Sequence, residues 1–397
     1  MADKIKRLTT RSKIFYYLIC IAYELYGGLI SLCCLAMRIF PIHKNKIVCC
    51  NMKGKRYGDN PKYIVDEIIR QNLDYEIVWL MNDEYDVDLP KGIRKGKYNL
   101  LSIIYESATA KFWIDSNTKH VGMLKRKNQY YIQTWHGSYG LKKVYGDIPD
   151  KITYFDKRIV QYNSAIQDLV ISNSIASTEI FRRAFWYQGE ILECGSPRND
   201  IFFVNIESYV RKVQNYFGIG DCKIALYAPT YRDDFRTADM HMDFERLRNS
   251  LKKRFGGEWV VLIRLHPQNI IDAEKFIHYT DKIINATGYN IMQELLVASD
   301  ILVSDYSSCM FDFVTGGKTC FLYATDVEKY KDERDFYFDI RKLPFPFAEN
   351  NDELEYNILN FNPEDYQIEL ERLFEQVGLC DNGNASKQVV EWIVRHT

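Results

Sequence analysis

The spacing of apolar and polar residues changes character twice along the chain. Residues 1–13 carry Lys4, Lys6, Arg7, Arg11 and Lys13, and Ile14 to Phe40 is then largely apolar, broken by Glu24, Gly27-Gly28 and Arg38. That run is long enough for a membrane helix, which needs about 20 apolar residues. Basic residues flank it on both sides, which favours a helix lying along or dipping into the cytoplasmic leaflet over one that crosses it. No small-residue cleavage site follows, so a removed leader is not expected.

From Lys46 short apolar runs alternate with segments of helical spacing. Strands are expected at Lys46–Cys50, Glu76–Leu80, Lys111–Asp115, Tyr130–Trp135, Asp168–Ser172 and Ile191–Gly195, with helices from Pro61 to Gln71 and from about Ser174 to Phe185. A polar helical connection after Asp200 leads to a second series. That series has strands at Lys223–Ala228, Trp259–Leu265, Ile301–Ser304 and Thr319–Tyr323, and helices at Phe244–Phe255, Ile291–Ala298 and from Ser307-Ser308 to Gly316-Gly317. Repeated βα units imply parallel sheets covered on both faces. The expected organisation is a basic and apolar membrane-associating segment (1–45), an α/β domain (46–205), a second α/β domain (206–350) and bracing C-terminal helices (351–397), the last near Gln367–Val377 and Lys387–Val394.

Composition narrows the function by exclusion. A chain of 397 residues exceeds the size at which one core stops growing, which fits two domains. Fifty-two basic against 53 acidic side chains give a net charge of -1, so no nucleic-acid partner is expected and anion binding must be local. The ten cysteines show no C-x-x-C spacing, which argues against a zinc site or a disulfide framework and fits reduced thiols. A Walker loop and a G-x-G-x-x-G fingerprint are both missing, which disfavours P-loop kinases and ordinary dinucleotide oxidoreductases. Asp83, Glu84, Asp86 and Asp88 read as a solvated polar hairpin or loop, and no metal or cofactor is expected.

Chemistry gathers where strands end. His136 and His266 each follow a strand directly, one in each half. If both halves turn their strand ends toward one cleft, two imidazoles meet one substrate, as general base or anion partner. Ser307-Ser308 stands where a strand gives way to a helix, and the unpaired N–H groups there make a phosphate seat. Lys142, Lys143, Arg198, Arg232 and Arg264 lie near the same strand ends and could hold several anionic groups.

Six motifs in this order resemble those of the CDP-glycerol glycerophosphotransferase family, the primases and polymerases of teichoic acids. They are Gln133 to Ser138 with Leu141-Lys142-Lys143, Gly195 to Asp200, Tyr227 to Asp233, Arg264 to Pro267, Ser304 to Asp312 and Phe336 to Asp339. The chain departs from the family pattern at Ser138-Tyr139-Gly140 and at Ser196. The resemblance spans about Gln133 to Phe347. It implies two Rossmann-like domains facing a cleft, the GT-B arrangement, with CDP-glycerol as donor and a polyprenyl-diphosphate-linked saccharide or polyol-phosphate chain as acceptor. It implies an enzyme at the cytoplasmic face of the membrane that releases CMP, with ribitol-phosphate transfer from CDP-ribitol or sugar transfer from a nucleotide sugar as the alternatives. On that resemblance His136 and His266 are catalytic. Arg264, Ser307, Ser308, Thr230, Arg232 and Asp312 hold the donor, and Lys142, Lys143 and Arg198 hold acceptor or phosphate.

Overall fold

Thirteen strands among the described residues form two all-parallel sheets, ordered β3-β2-β1-β4-β5-β6-β7 and β10-β9-β8-β11-β12-β13. The computed structural model describes residues 13–85, 88–137, 140–230, 242–265, 277–333 and 335–397. The first sheet contains β1 (His43–Cys50), β2 (Glu76–Met81), β3 (Ile93–Lys97), β4 (Ala110–Asp115), β5 (Tyr130–Gln133), β6 (Leu169–Ser172) and β7 (Glu190–Glu193). The second contains β8 (Lys223–Tyr227), β9 (Trp259–Ile263), β10 (Ile283–Asn285), β11 (Ile301–Ser304), β12 (Thr319–Tyr323) and β13 (Phe347–Ala348). Ile47, Cys49, Trp79, Phe112 and Ile114 are buried on one face of the first sheet, and Val48, Val78, Leu80 and Trp113 on the other. Strands apolar on both faces are what a sheet covered by helices on both sides requires. β3 was not expected from the pattern, because Ile93-Arg94-Lys95-Gly96-Lys97 is an edge strand whose charges face water.

In each sheet the strand order reverses between two neighbours: between β1 and β4, which pair from Ile47↔Phe112 to Cys50↔Asp115, and between β8 and β11, which pair from Ile301↔Ala225. Loops leaving such a pair diverge and open a crevice beyond the carboxyl ends of the strands. β5 stops at Gln133, two residues earlier than expected, because Trp135 adopts a left-handed conformation with φ of 52° that no strand accepts.

The helices of the first half are α1 (Lys13–Ala36), α2 (Asp59–Arg70), α3 (Leu100–Thr109), α4 (Tyr154–Ile166) and α5 (Ile175–Arg183). Gly27 of α1 lies so close to the loop at Gly122 that a Cβ on Gly122 would stand 2.0 Å from the Gly27 carbonyl oxygen. Ser31 donates to Gly122 O at 3.0 Å, and Glu24 pairs with Arg158 at 2.9 Å. One face of α1 is therefore seated on the domain, while Leu18, Ile21, Leu25, Leu29 and Leu32 on other faces are exposed.

The connection between the sheets is a 3-10 turn at Pro197–Phe203 followed by α6 (Glu207–Phe217). The second half adds α7 (Phe244–Phe255), α8 (Met292–Ala298), α9 (Cys309–Thr315), α10 (Val327–Glu333), α11 (Asn351–Leu359) and α12 (Pro363–Val377). The last helix, α13 (Ala385–Arg395), returns to the first sheet, where Val389, Val390, Trp392 and Ile393 join the core built on Ile47 and Phe112. The chain thus passes between the two sheets at Ser196–Ile206 and again at Leu379–Asn384. All ten cysteines fall in the described residues and are free thiols.

Candidate active site

His136 sits just beyond β5, and three neighbours fix its position. Its Nδ1 lies 2.7 Å from the carbonyl oxygen of Ser116, the residue after β4. A carbonyl only accepts, so Nδ1 carries the hydrogen and the neutral ring presents Nε2 as its lone-pair base. Trp135 lies against the imidazole at 4.2 Å between ring centroids. The strained Trp135 backbone is held by Asn60 of α2, a buried side chain that donates to Thr134 O and Trp135 O at 3.1 and 3.2 Å.

Arg198 completes this frame and does not face open solvent. Its guanidinium donates to the His136 carbonyl and to Asp59 at 2.8 Å each, and its Nε lies 3.0 Å from Asp312 of α9. Burial alone would disfavour the charge, but Asp312 and Asp59 raise its pKa well above the usual arginine value. The same burial raises the Asp312 carboxyl, with Arg198 opposing. The sequence assigned Arg198 to a phosphate or acceptor and Asp312 to the donor. In the structure the two are paired with each other, as opposite charges at a dry domain junction satisfy one another best.

The rest of the Gly195 to Asp200 motif is also a junction. Ser196 N–H donates to Asp381 at 2.8 Å, Asn199 donates to Asp312 at 3.4 Å, and Asp200 accepts from the first N–H groups of α13 at 3.0 and 2.7 Å. Gly316 is required where the turn meets the end of α9, since a Cβ there would stand 2.6 Å from the Phe202 ring.

Lys142 and Lys143 likewise serve a clasp between the halves. Lys142 forms an antiparallel bridge with Phe336, and its ammonium lies 5.1 Å from the centre of the Tyr330 ring. Lys143 N–H donates to Asp335 O at 2.8 Å, Tyr337 N–H to Leu141 O at 2.7 Å, and Tyr337 OH to Asp147 at 2.5 Å. This cross-strand pairing satisfies backbone groups of two loops and involves the main chain of the two lysines.

The second half supplies the remaining candidates. Thr230, beyond β8, donates its N–H to Asp305 at 2.7 Å, and Asp305 also accepts from Tyr306 N–H, which fixes the turn after β11. Ser307 and Ser308 are half-buried. Ser307 Oγ accepts from Cys309 N–H at 3.5 Å, whereas Ser308 adopts helical dihedrals and makes no cap hydrogen bond. The expected cap therefore falls to Ser307. Arg264, half-buried at the end of β9, donates to Tyr289 O, and burial followed by the nearby Arg56 lowers its pKa to about 10. His266 and Arg232 lie outside the described residues.

Sequence reasoning passed over Arg56. It stands in Asn51-Met52-Lys53-Gly54-Lys55-Arg56, directly after the first strand. Basic residues around a glycine at that place in an α/β unit were the available signal.

A family model described as CDP-glycerol:poly(glycerophosphate) glycerophosphotransferase matches residues 32–395, well beyond the stretch that carries the six motifs. The teichoic acid poly(glycerol phosphate) polymerase of Bacillus spizizenii is 30% identical over 372 residues, covering 89% of this chain and 93% of that one. The polymerase of the same name from Staphylococcus epidermidis is 32% identical over 362 residues, covering 87% of this chain and 50% of that one. This chain spans about half the length of the Staphylococcus epidermidis and Bacillus subtilis relatives that it matches. Among solved structures, a histidine variant of the wall teichoic acid polymerase TagF soaked with CDPG aligns with a TM-score of 0.81 at 29% identity over 96% of each chain.

Proposed function

Because the chain belongs to the CDP-glycerol:poly(glycerophosphate) glycerophosphotransferase family, we propose that it transfers glycerol phosphate from CDP-glycerol to a hydroxyl of a lipid-linked saccharide or polyol-phosphate chain in teichoic acid synthesis. The observation that carries this reading is the His136 ring, whose Nδ1 is committed to Ser116 O at 2.7 Å so that Nε2 is left as the base. In the proposed step the acceptor oxygen attacks the phosphorus bearing glycerol, and Nε2 of His136 takes its proton. The bond between that phosphorus and the bridging oxygen breaks, and CMP leaves with the bridging electrons. Phosphoryl transfer of this kind depends on positioning and on cations near the equatorial oxygens. Arg264, with Ser307 and Ser308, takes that part, joined by Thr230, and by Arg232 and His266 from outside the described residues. No cofactor is needed to balance the step.

The two facing α/β halves support the GT-B arrangement, with the donor in the second half. The apolar helix supports a monotopic place on the cytoplasmic leaflet. An 18-residue window within Lys13–Ile39 has a mean hydropathy of 1.9, and the stretch passes for a span by length and composition. Its Glu24, Gly27 and Ser31 are engaged by the domain, so a helix lying in the interface with its leucines in lipid accounts for both faces. Anchoring there would bring a soluble nucleotide donor to a lipid-bound acceptor. Ribitol phosphate is the second donor to test, since a teichoic acid poly(ribitol-phosphate) polymerase of Bacillus spizizenii is 28% identical over 373 residues.

The test is product mass analysis after incubation with CDP-glycerol or CDP-ribitol and a lipid-linked saccharide. The expected products are CMP and an acceptor heavier by one or more polyol phosphates. Failure to release CMP from either donor with every acceptor overturns the reading.

A further inference from the structure

The loop after β1 carries a cation, Arg56, in the half opposite Arg264. Arg56 is half-buried, and the described residues provide its guanidinium with no hydrogen bond and no carboxylate partner. Burying a charge without a partner is costly, so such a group marks a place where an anion is expected. The loop is rigid. Gly54 N–H donates to Asn51 O at 2.9 Å and Gly54 O accepts from Asn82 N–H at 2.8 Å. Gly54, with φ of 78°, touches Tyr98 and Asn82 so closely that a Cβ would stand 2.8 Å from the tyrosine.

Two routes of contact and the order of the sheet place this loop beside the candidate base. Asn51, which opens the loop, accepts from Ser116 Oγ at 2.7 Å, and Ser116 O holds the His136 ring. Asp59, which follows the loop, pairs with Arg198 at 2.8 Å, and Arg198 reaches Asp312 of the second half. β1 and β4 are also the strands at which the order of the first sheet reverses, so the loop enters the crevice where a ligand is expected. Across that crevice Arg264 also lacks a carboxylate partner among the described residues. The two arginines repel one another, and Arg56 is the second cause, after burial, of the lowered Arg264 value.

From this arrangement we infer that Arg56 and Arg264 form a two-sided arginine clamp on a diphosphate, with Arg56 reaching the distal phosphate, the one that is transferred. The inference deepens the transferase reading and rests on it. A guanidinium on each side of one phosphoryl group would neutralise the charge that develops on its oxygens as the bridge bond breaks. A clamp built from both halves would also link donor binding to the proximity of His136.

The probes are CDP and CMP, titrated calorimetrically into the full chain and into Arg56→Ala and Arg56→Lys variants. Arg56→Ala is expected to weaken CDP by about 10- to 100-fold and to leave CMP within about twofold. Arg56→Lys is expected to fall between, because it keeps charge and loses the bidentate fork. Melting without nucleotide should be unchanged or raised in Arg56→Ala, since one of two like charges is gone. Equal CDP affinity in all three proteins overturns the clamp, as does an equal loss of CDP and CMP. If the unaltered chain binds neither nucleotide, the transferase reading fails first. A fall in melting temperature in both variants with CDP affinity retained in Arg56→Lys assigns Arg56 to the fold and also overturns the clamp.

Discussion

Arg198 and Asp312 meet across the junction of the two sheets, Nε to Oδ2 at 3.0 Å, with both side chains 4% exposed. The same guanidinium donates to the backbone carbonyl of His136. One side chain thus fixes the backbone under the candidate base and joins it to the helix that follows Ser307-Ser308.

Removing Arg198 leaves Asp312 buried without a counter-charge, and removing Asp312 leaves Arg198 with Asp59 as its one ion-pair partner among the described residues. Arg198→Ala and Asp312→Ala should each lower the unfolding free energy by about 3–5 kcal/mol, measured by denaturant unfolding. Arg198→Met combined with Asp312→Leu should cost less than Arg198→Ala alone, because only Asp59, which reaches solvent, then lacks its partner.

His136→Ala should reduce CMP release from CDP-glycerol by about 10²- to 10⁴-fold while CDP affinity stays near that of the unaltered chain. Asn60→Ala should act in the same direction but less strongly. Its amide holds the Thr134 and Trp135 carbonyls, not the reacting atoms. Steady-state kinetics should show the effect in kcat more than in KM.

Asp381 gives stability a pH dependence. Burial raises its pKa to about 7, although the Ser196 N–H donates to it, and its Oδ2 has no hydrogen-bond partner among the described residues. The folded chain therefore keeps a proton that the unfolded chain releases near the ordinary carboxylate value, about 4. This contribution is complete below that value and is lost as pH rises through about 7. Asp381→Asn keeps the oxygen that Ser196 needs. It should remove the loss, worth on the order of a few kcal/mol, and unfolding curves between pH 5 and 8 should then coincide more closely.

Leu25→Asp with Leu29→Asp places charges on the exposed face of α1 and leaves Gly27, Ile30 and Cys34, its buried contacts, in place. Sedimentation with anionic vesicles should drop, while activity on a short soluble acceptor should persist. Gly122→Val should instead unseat the helix, because its Cβ would collide with the Gly27 carbonyl, and protease cleavage near α1 should increase.

Sequence pattern located most strands of both sheets because Val260-Val261-Leu262-Ile263 and its like are apolar on both faces, a signature that survives without knowledge of neighbours. β3, the short β10 and the two-residue β13 escaped, since an edge strand is specified by its partner and not by its own hydrophobicity. The candidate site divided along similar lines. His136 was legible from its place at a strand end. The pairing of Arg198 with Asp312, 114 residues apart, was not, because a motif states which residues occur together and not whether they face a ligand or one another. The backbone bridge of Lys142 to Phe336 and the ion pair of Lys143 with Asp335 were hidden for the same reason, since these partners lie in the opposite half.

The chain crosses between its halves twice, at Ser196–Ile206 and at Leu379–Asn384, and α13 then joins the first core. The halves are thus tied by two passages of the chain, by the buried pair of Arg198 with Asp312 and by the strip that joins Lys142 to Phe336.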